Sequence, residues 1–200
     1  MKKRIILAIF ALMMILSIVS SPFIAEAVET NTLTEAKDKL LEMESSENFD
    51  VEEYKETVEI INDIVAEKNI EDVPMNVTFE KAQDLEALKI IDEQHEIEIK
   101  QLEIRLLDSD GEKNTLFIQN DNLDESLLYA VEVAQESGMD LIGVVSVNVK
   151  ADSEEVKKLN EEDSVFLADA STVDYVEDKV KVSEKSKKNY PESVAWELGI

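Results

Sequence analysis

The chain has 200 residues, no cysteine, and 46 acidic against 20 basic side chains, which gives a net charge of −26 at pH 7. Nucleic acid and anionic membranes would repel so negative a surface, so we expect neither as a partner. The lack of cysteine excludes disulfides, thiolate metal sites and a lipid-anchored cysteine, and 44% hydrophobic residues exclude wholesale disorder.

The first 27 residues have the pattern of a bacterial export signal. Three cations at positions 2–4 precede an apolar run over 5–19, and Ala25-Glu26-Ala27 is the small-residue pattern after which signal peptidase cleaves. We therefore expect a signal peptide over 1–27 and a secreted, extracellular protein that starts at Val28. Removal of this leader takes away three cations and one anion, leaving 17 basic and 45 acidic side chains.

An alternative for the same leader is an uncleaved anchor. The stretch 5–25 has the roughly 20 residues that a membrane span requires. A membrane would be a partner of this protein only in that case.

Residues 28–72 carry the periodicity of two amphipathic helices. Apolar side chains recur at steps of three and four residues in both halves: Leu33, Ala36, Leu40 and Met43, then Val51, Tyr54, Val58, Ile61 and Val65. Thr32 and Asp50 stand where helix N-caps belong. The pattern predicts a helical pair whose apolar stripes either pack inside the chain or meet a partner.

After Pro74 the pattern changes to the alternation that is typical of strands. It predicts a strand at 75–79, a helix capped by Asp84, a long strand over 97–106 with a bulge near 100–101, and a return strand at 115–119. Asp-Gly at 110–111 supplies the tight turn of that hairpin.

The second half of this region continues with a helix over about 124–137, closed by Gly138 and expected to turn Leu127, Leu128, Val131 and Ala134 inward. The apolar stretch 141–149 predicts a central strand. Ser153 is then expected to cap a short helix before a last strand at 165–168.

This order predicts an α+β protein: a ferredoxin-like α/β sandwich (βαββαβ with an extra helix and strand) over 73–171, preceded by the helical pair at 28–72. The remaining residues, 172–200, are expected to form a loose tail whose Trp196 docks back on the domain.

Three consecutive segments carry a resemblance to known families. Gly-Val-Val-Ser-Val-Asn-Val at 143–149, Ser-Glu-Glu-Val-Lys-Lys-Leu at 153–159 and Val165–Asp169 resemble the closing strand-helix-strand of subtilisin-type propeptides and inhibitors. They are also similar to the extracellular region of Gram-positive anti-sigma-factor regulators, with a similarity that reaches back to 77–82 and 85–88. Both resemblances imply a ferredoxin-like module over about 75–170.

Catalytic side chains are not expected. His95 is the only histidine, and Ser146 is the one serine in an apolar strand, but no Gly-x-Ser-x-Gly elbow surrounds it. His95 is predicted to be exposed beside the glutamates at 93 and 96. A hydrolase that uses these two residues is the least favoured reading.

Two acidic runs, at 108–112 and 120–125, resemble fragments of calcium-binding loops. Neither has the twelve-residue spacing of an EF-hand, and turn and capping chemistry explain them more simply. No glycine-rich phosphate loop is present either. We expect no metal and no cofactor.

These patterns predict a secreted, acidic, non-enzymatic module that binds a protein partner of unknown identity. The candidate contacts are Val51, Tyr54, Val58 and Ile61, provided that this helix face is not already buried; an exposed sheet edge is the other possible contact. The alternative, implied by the first resemblance, is a propeptide-like protease inhibitor or intramolecular chaperone whose tail from Ser171 onward threads the protease active site.

Overall fold

The computed structural model describes residues 22–44, 46, 48–176, 179–181 and 190–200, which contain five helices and seven strands. In chain order these are α1 (Pro22–Glu44), α2 (Val51–Ala66), β1 (Val73–Gln83), α3 (Leu85–Gln94), β2 (Ile97–Leu107), β3 (Lys113–Gln119), α4 (Leu123–Ser137), β4 (Asp140–Ala151), α5 (Glu155–Asn160), β5 (Val165–Asp169), β6 (Asp174–Val176) and β7 (Lys179–Lys181). The predicted leader at 1–21 lies outside the described residues.

Five strands form one antiparallel sheet in the order β3-β2-β4-β1-β5. Because β1 and β2 both pair antiparallel with β4, they run parallel to each other with β4 between them. In the same way β4 and β5 flank β1. The α+β class and the central place of β4 are therefore confirmed. The sheet contains two interlocked split βαβ units, β1-α3-β2 and β4-α5-β5, with the hairpin strand β3 added at one edge.

One face of this sheet is apolar and packs against helices. Val77, Leu102 and Val147 are aligned across neighbouring strands and are at most 1% exposed. Helices α3, α4 and α5 contribute Leu88, Ala130 and Leu159 to the same core cluster. Since every second residue of β1, β2 and β4 points this way, the alternating pattern of the sequence locates the face correctly.

Local signals in the sequence set most element boundaries. Asp50 and Asp84 accept hydrogen bonds from the first-turn amides of α2 and α3, as predicted for N-caps. Gly138 ends α4 in the left-handed conformation, at φ 68°. The predicted bulge near 100–101 is present as a register shift between Ile99 and Gln101 against β4.

Several predicted details are wrong. Helix α1 begins at Pro22, so Thr32 lies inside it and does not cap it. Ser153 does not cap α5; its hydroxyl accepts a hydrogen bond from the amide of Ile70 at 3.0 Å. Leu128 is 62% exposed instead of inward, because it lies one residue away from the buried stripe of α4.

The described residues beyond 171 include two short paired strands and a segment that contacts the sheet. β6 pairs antiparallel with β7. Residues 190–200 lie against the sheet, where Val194 and Ala195 are 5% and 0% exposed. The lysine-rich stretch at 182–189 is outside the described residues.

Helices α2 and α5 cover the β5 edge of the sheet. Asn62 of α2 donates to the carbonyl of Ala168 at 2.7 Å and accepts from the amide of Ala170 at 3.2 Å. Asn160 accepts from the amide of Ala168 at 2.8 Å. Two asparagine side chains thus occupy backbone groups that an edge strand would otherwise offer to another chain.

Of the helices in the described ranges, none combines the length and the apolar character that crossing a bilayer requires.

Asn62→Ala should lower the free energy of unfolding by about 1–3 kcal/mol, because the buried amide of Ala170 then loses its acceptor. Urea unfolding followed by far-UV circular dichroism measures this. Glu59→Ala, at an exposed position of the same helix, is the control and should change stability by less than about 0.5 kcal/mol. Equal losses in the two variants would contradict the proposed role of Asn62.

Candidate functional site

The second face of the sheet is polar, and a segment of the chain covers part of it. Its side chains come from alternate positions of neighbouring strands: Asn76 and Thr78 of β1, Gln101, Glu103 and Arg105 of β2, and Ser146 and Asn148 of β4. Asn76 is 3%, Glu103 is 5% and Ser146 is 1% exposed. Buried polar groups must be paired to be tolerated.

A chain of hydrogen bonds joins these side chains. The Ser146 hydroxyl donates to Glu103 Oε2 at 2.7 Å, and Asn76 Nδ2 donates to Asn148 Oδ1 at 2.9 Å. Asn148 Nδ2 in turn donates to Gln101 Oε1 at 2.8 Å, and the Thr78 hydroxyl donates to Asn76 Oδ1 at 2.9 Å. The network therefore crosses three strands.

The segment 190–200 lies over this face, and Arg105 contacts it at two points. The guanidinium lies 3.7 Å from the ring centroid of Trp196, and its Nε donates to the main-chain oxygen of Ile200 at 2.7 Å. Arg105 is 1% exposed, and its burial lowers the pKa of the guanidinium while the nearby Glu103 carboxylate opposes that change. Its Nη2 has no hydrogen-bond partner, so the buried charge is compensated by the aromatic face of Trp196 and by Glu103 Oε1 at 3.9 Å.

Between the segment and the sheet lies a cavity of about 350 Å³, which we call the polar cavity. Its lining combines side chains of the sheet with side chains of the segment: Asn76, Gln101, Glu103, Phe117, Ser146, Asn148, Tyr190, Pro191, Glu192, Ser193 and Trp196. The floor is polar and buried, whereas Phe117 and Trp196 at the rim are 59% and 49% exposed.

A second concave surface lies on the helical side of the sheet, and we call it the α4 groove. It has a volume of about 530 Å³, and its walls are formed by Leu85 of α3, by Leu127, Leu128 and Val131 of α4, and by Leu141 and Ile142 of β4, above Ile104. Leu128, Leu141 and Ile142 are 62%, 37% and 47% exposed. Asp84 and Asp124 also line it.

Gly143 shapes the inner end of the α4 groove. A Cβ atom at this position would lie 2.6 Å from the carbonyl oxygen of Gln83, and the backbone has φ 143°. A side chain there would therefore push the end of β1 away from β4.

The predicted partner contacts on α2 are mostly inside the molecule. Tyr54, Val58 and Ile61 are 3%, 0% and 0% exposed, and Val51 is half-buried against the core. The condition attached to that prediction, an unburied face, is therefore not met. These side chains hold α2 against the sheet instead.

Tyr54 also supports a buried carboxyl group. Its hydroxyl donates to Asp169 Oδ2 at 2.7 Å, and the amide of Ser171 donates to Oδ1 at 2.7 Å. Asp169 is 2% exposed. Burial raises the pKa of Asp169 above its ordinary value, and the hydrogen bonds from Tyr54 and Ser171 only partly oppose the rise.

His95 and Ser146 are not brought together. The His95 side chain is 7% exposed, so the prediction that it is exposed is wrong. Its hydrogen-bond partners are distant in sequence: Nδ1 lies 3.1 Å from Glu155 and Nε2 lies 3.1 Å from Glu162. Burial favours a higher pKa for Glu155, but hydrogen bonds from Lys158 and His95 outweigh it, so the pKa lies below its ordinary value. The cluster ties α3 to α5.

The two acidic runs are used in local backbone contacts. Asp108 Oδ1 accepts from the amides of Asp110 and Glu112 at 2.9 Å each, and Asn122 accepts from the amide of Glu125. Within the described part of the chain, no three acidic or histidine side chains are grouped as a metal site would need.

Neither the polar cavity nor the α4 groove was predicted from the sequence. Polar residues at alternate positions of three predicted strands, together with Val-Ala-Trp in the tail, were the available signal for the cavity. For the α4 groove, the signal was that the sequence of α4 carries more apolar residues than one buried stripe of a helix needs.

A scan against protein-family models and searches of curated proteins and of solved structures found no match for this chain. The resemblances to propeptides and anti-sigma regulators therefore stay predictions.

Asp169→Asn should change how stability depends on pH. The folded state binds the Asp169 proton more tightly than the unfolded state does. The contribution of Asp169 to the free energy of unfolding is therefore largest below pH 3.8, the ordinary pKa of an aspartate, and it is lost as the pH rises through the raised pKa of the folded state. The difference in unfolding free energy between wild type and variant, measured by urea titration from pH 3 to 8, should show this decline. Tyr54→Phe should extend the decline to higher pH, and a pH-independent difference would contradict the argument.

Ala195→Glu should detach the segment 190–200 without unfolding the sheet, because it places a charge at a position that is 0% exposed. Trp196 is the only tryptophan, so its emission reports the segment selectively and should shift to longer wavelength. Far-UV circular dichroism should stay nearly unchanged. Glu197→Ala, at an exposed position, is the control and should leave the emission in place.

Proposed function

We propose that this protein is a secreted, acidic, non-enzymatic module that binds a protein partner through the α4 groove. The observation that supports this most directly is the exposure of Leu128, Leu141 and Ile142 around one concave surface. Exposed apolar side chains that are clustered in a groove mark binding sites, whereas isolated ones do not. This proposal replaces the contacts on α2, which are largely buried.

The groove favours an amphipathic helix with a basic opposite face. Its walls are apolar, which suits residues spaced along one helix side. The carboxylates of Asp84 and Asp124 stand at its margin; Asp124 forms an ion pair with Lys89 at 2.5 Å, and Asp84 has no cationic partner among the described residues. A net charge of −26 adds a long-range attraction for basic segments.

The ferredoxin-like assignment is also a proposal. The interlocked units β1-α3-β2 and β4-α5-β5 support it, with β3 and α4 as an insertion between their strands. In that assignment the added pair is β3-α4 instead of the last helix and strand. The α4 groove would then lie at the junction between the insertion and the core.

Protease inhibition of the propeptide kind is the alternative proposal. That mode requires a tail that leaves the last strand and enters the protease. Here Val173 is buried and the segment 190–200 is docked on the sheet. The tail would have to leave these positions first, so we favour the groove. Inhibition of a subtilisin at micromolar concentration would support the alternative.

A synthetic amphipathic helix of leucine and lysine, about 18 residues long, is a suitable probe. We expect Leu128→Glu and Ile142→Glu each to weaken its binding about tenfold in about 0.15 M salt, as measured by fluorescence anisotropy. Both positions are exposed, so the fold should survive.

Leu41→Glu is the matched control, because Leu41 is 65% exposed on α1 and the substitution adds the same charge. Purely electrostatic attraction would be strengthened by all three substitutions, so weakening by the groove variants alone identifies the groove. A peptide of identical composition in scrambled order should bind less tightly. Equal binding by all variants, or by both peptides, would contradict the proposal.

A further inference from the structure

The polar cavity is built differently from the α4 groove. Three of its floor residues, Asn76, Glu103 and Ser146, are at most 5% exposed, whereas aromatic rings stand at its rim. A buried polar floor with convergent hydrogen-bonding groups and an aromatic rim is the general form of a small-molecule site. Its volume of about 350 Å³ is near the lower end for such sites and suits a ligand of one ring.

The hydrogen bonds inside the network leave two groups of the floor unused. Gln101 accepts through Oε1, but among the described residues its Nε2 donates to no partner. Glu103 accepts from Ser146 through Oε2, while its Oε1 forms an ion pair with Nη2 of Arg105 at 3.9 Å; this contact is too long for a hydrogen bond and leaves Oε1 able to accept one. The cavity therefore offers one amide donor and one carboxylate acceptor.

Gln101 and Glu103 are two residues apart on β2 and lie on the same face of the sheet, so their Cα atoms are about 6–7 Å apart. A ligand that satisfies both must offer an acceptor to Gln101 and a donor to Glu103. A hydroxyl group does either, and a ring with several hydroxyls does both at once. An ammonium ion offers donors only, and an anion would be repelled by Glu103 and Glu192.

The rim of the polar cavity supplies aromatic side chains that can contact a ligand. Phe117 and Trp196 are 59% and 49% exposed, and Tyr190 lines the same cavity. Aromatic faces pack against the apolar C–H face of a sugar ring while its hydroxyls point to the floor. Because one face of Trp196 is occupied by Arg105, Phe117 is the aromatic side chain most available to a ligand.

We infer that the polar cavity is a binding site for a neutral saccharide ring, held by Gln101 and Glu103 at the floor and by Phe117 at the rim. This inference is independent of the α4 groove, which lies on the other face of the sheet.

The test is a titration of the full chain with glucose, galactose and N-acetylglucosamine, followed through the emission of Trp196 and through saturation-transfer NMR of the sugar protons. We expect saturable binding of at least one sugar with a Kd of about 1 mM. Gln101→Ala and Phe117→Ala should each raise that Kd about tenfold. Both positions are at least partly exposed, and far-UV circular dichroism verifies their folding.

Tyr129→Ala is the matched control, since Tyr129 is an aromatic residue 53% exposed on α4. It should bind the sugar as the wild type does. The inference is overturned if none of the three sugars gives a saturable response up to about 50 mM, or if neither cavity variant weakens binding. It is also overturned if tetramethylammonium binds in a Phe117-dependent manner and the sugars do not.

Discussion

A sheet that buries polar side chains must bring hydrogen-bonding or charged partners to them, and this constraint organises the molecule. The helical face avoids the requirement, because Val77, Leu102 and Val147 carry no polar side-chain atoms. The opposite face carries the buried Glu103 and Arg105. Glu103 accepts from Ser146 within the sheet, whereas Trp196 and the main-chain oxygen of Ile200, both in the segment 190–200, contact Arg105.

The same requirement applies to the edges of the sheet. At β5 the carbonyl and the amide of Ala168 are occupied by Asn62 of α2 and Asn160 of α5, so these two helices serve as an edge cover as well as a packing layer. Helices thus cover one face and one edge of the sheet, and the segment 190–200 covers part of the other face. Three of the exposed apolar side chains that remain, Leu128, Leu141 and Ile142, line the α4 groove.

Local sequence patterns were sufficient to predict those features of the fold that depend on residues close together in the chain. It placed the buried positions of α1 and α2, the cap at Asp84, the turn into β3 and the central strand β4. It did not predict that β4 lies between β1 and β2, because pairing between distant strands leaves no trace in local alternation. For the same reason local alternation does not indicate that a distant segment, 190–200, lies over Asn76 and Ser146.

The partners of titratable groups were also missed where they are distant in sequence. His95 has glutamates beside it in the chain, yet its hydrogen bonds go to Glu155 and Glu162, which α5 and the turn after it supply. Leu128 illustrates the converse error. Its helical spacing indicated burial, but spacing alone cannot distinguish a side chain covered by the protein from one that faces an open groove.

The net charge bears on how the two open surfaces can achieve specificity. With −26 charges over 200 residues, any cation is attracted from a distance, and that attraction falls off over about 8 Å at physiological salt. Long-range charge raises the rate of encounter but distinguishes poorly between one basic partner and another. Discrimination must then come from contacts that charge alone cannot reproduce. The α4 groove supplies apolar shape, and the polar cavity supplies an amide donor and a carboxylate acceptor at fixed positions.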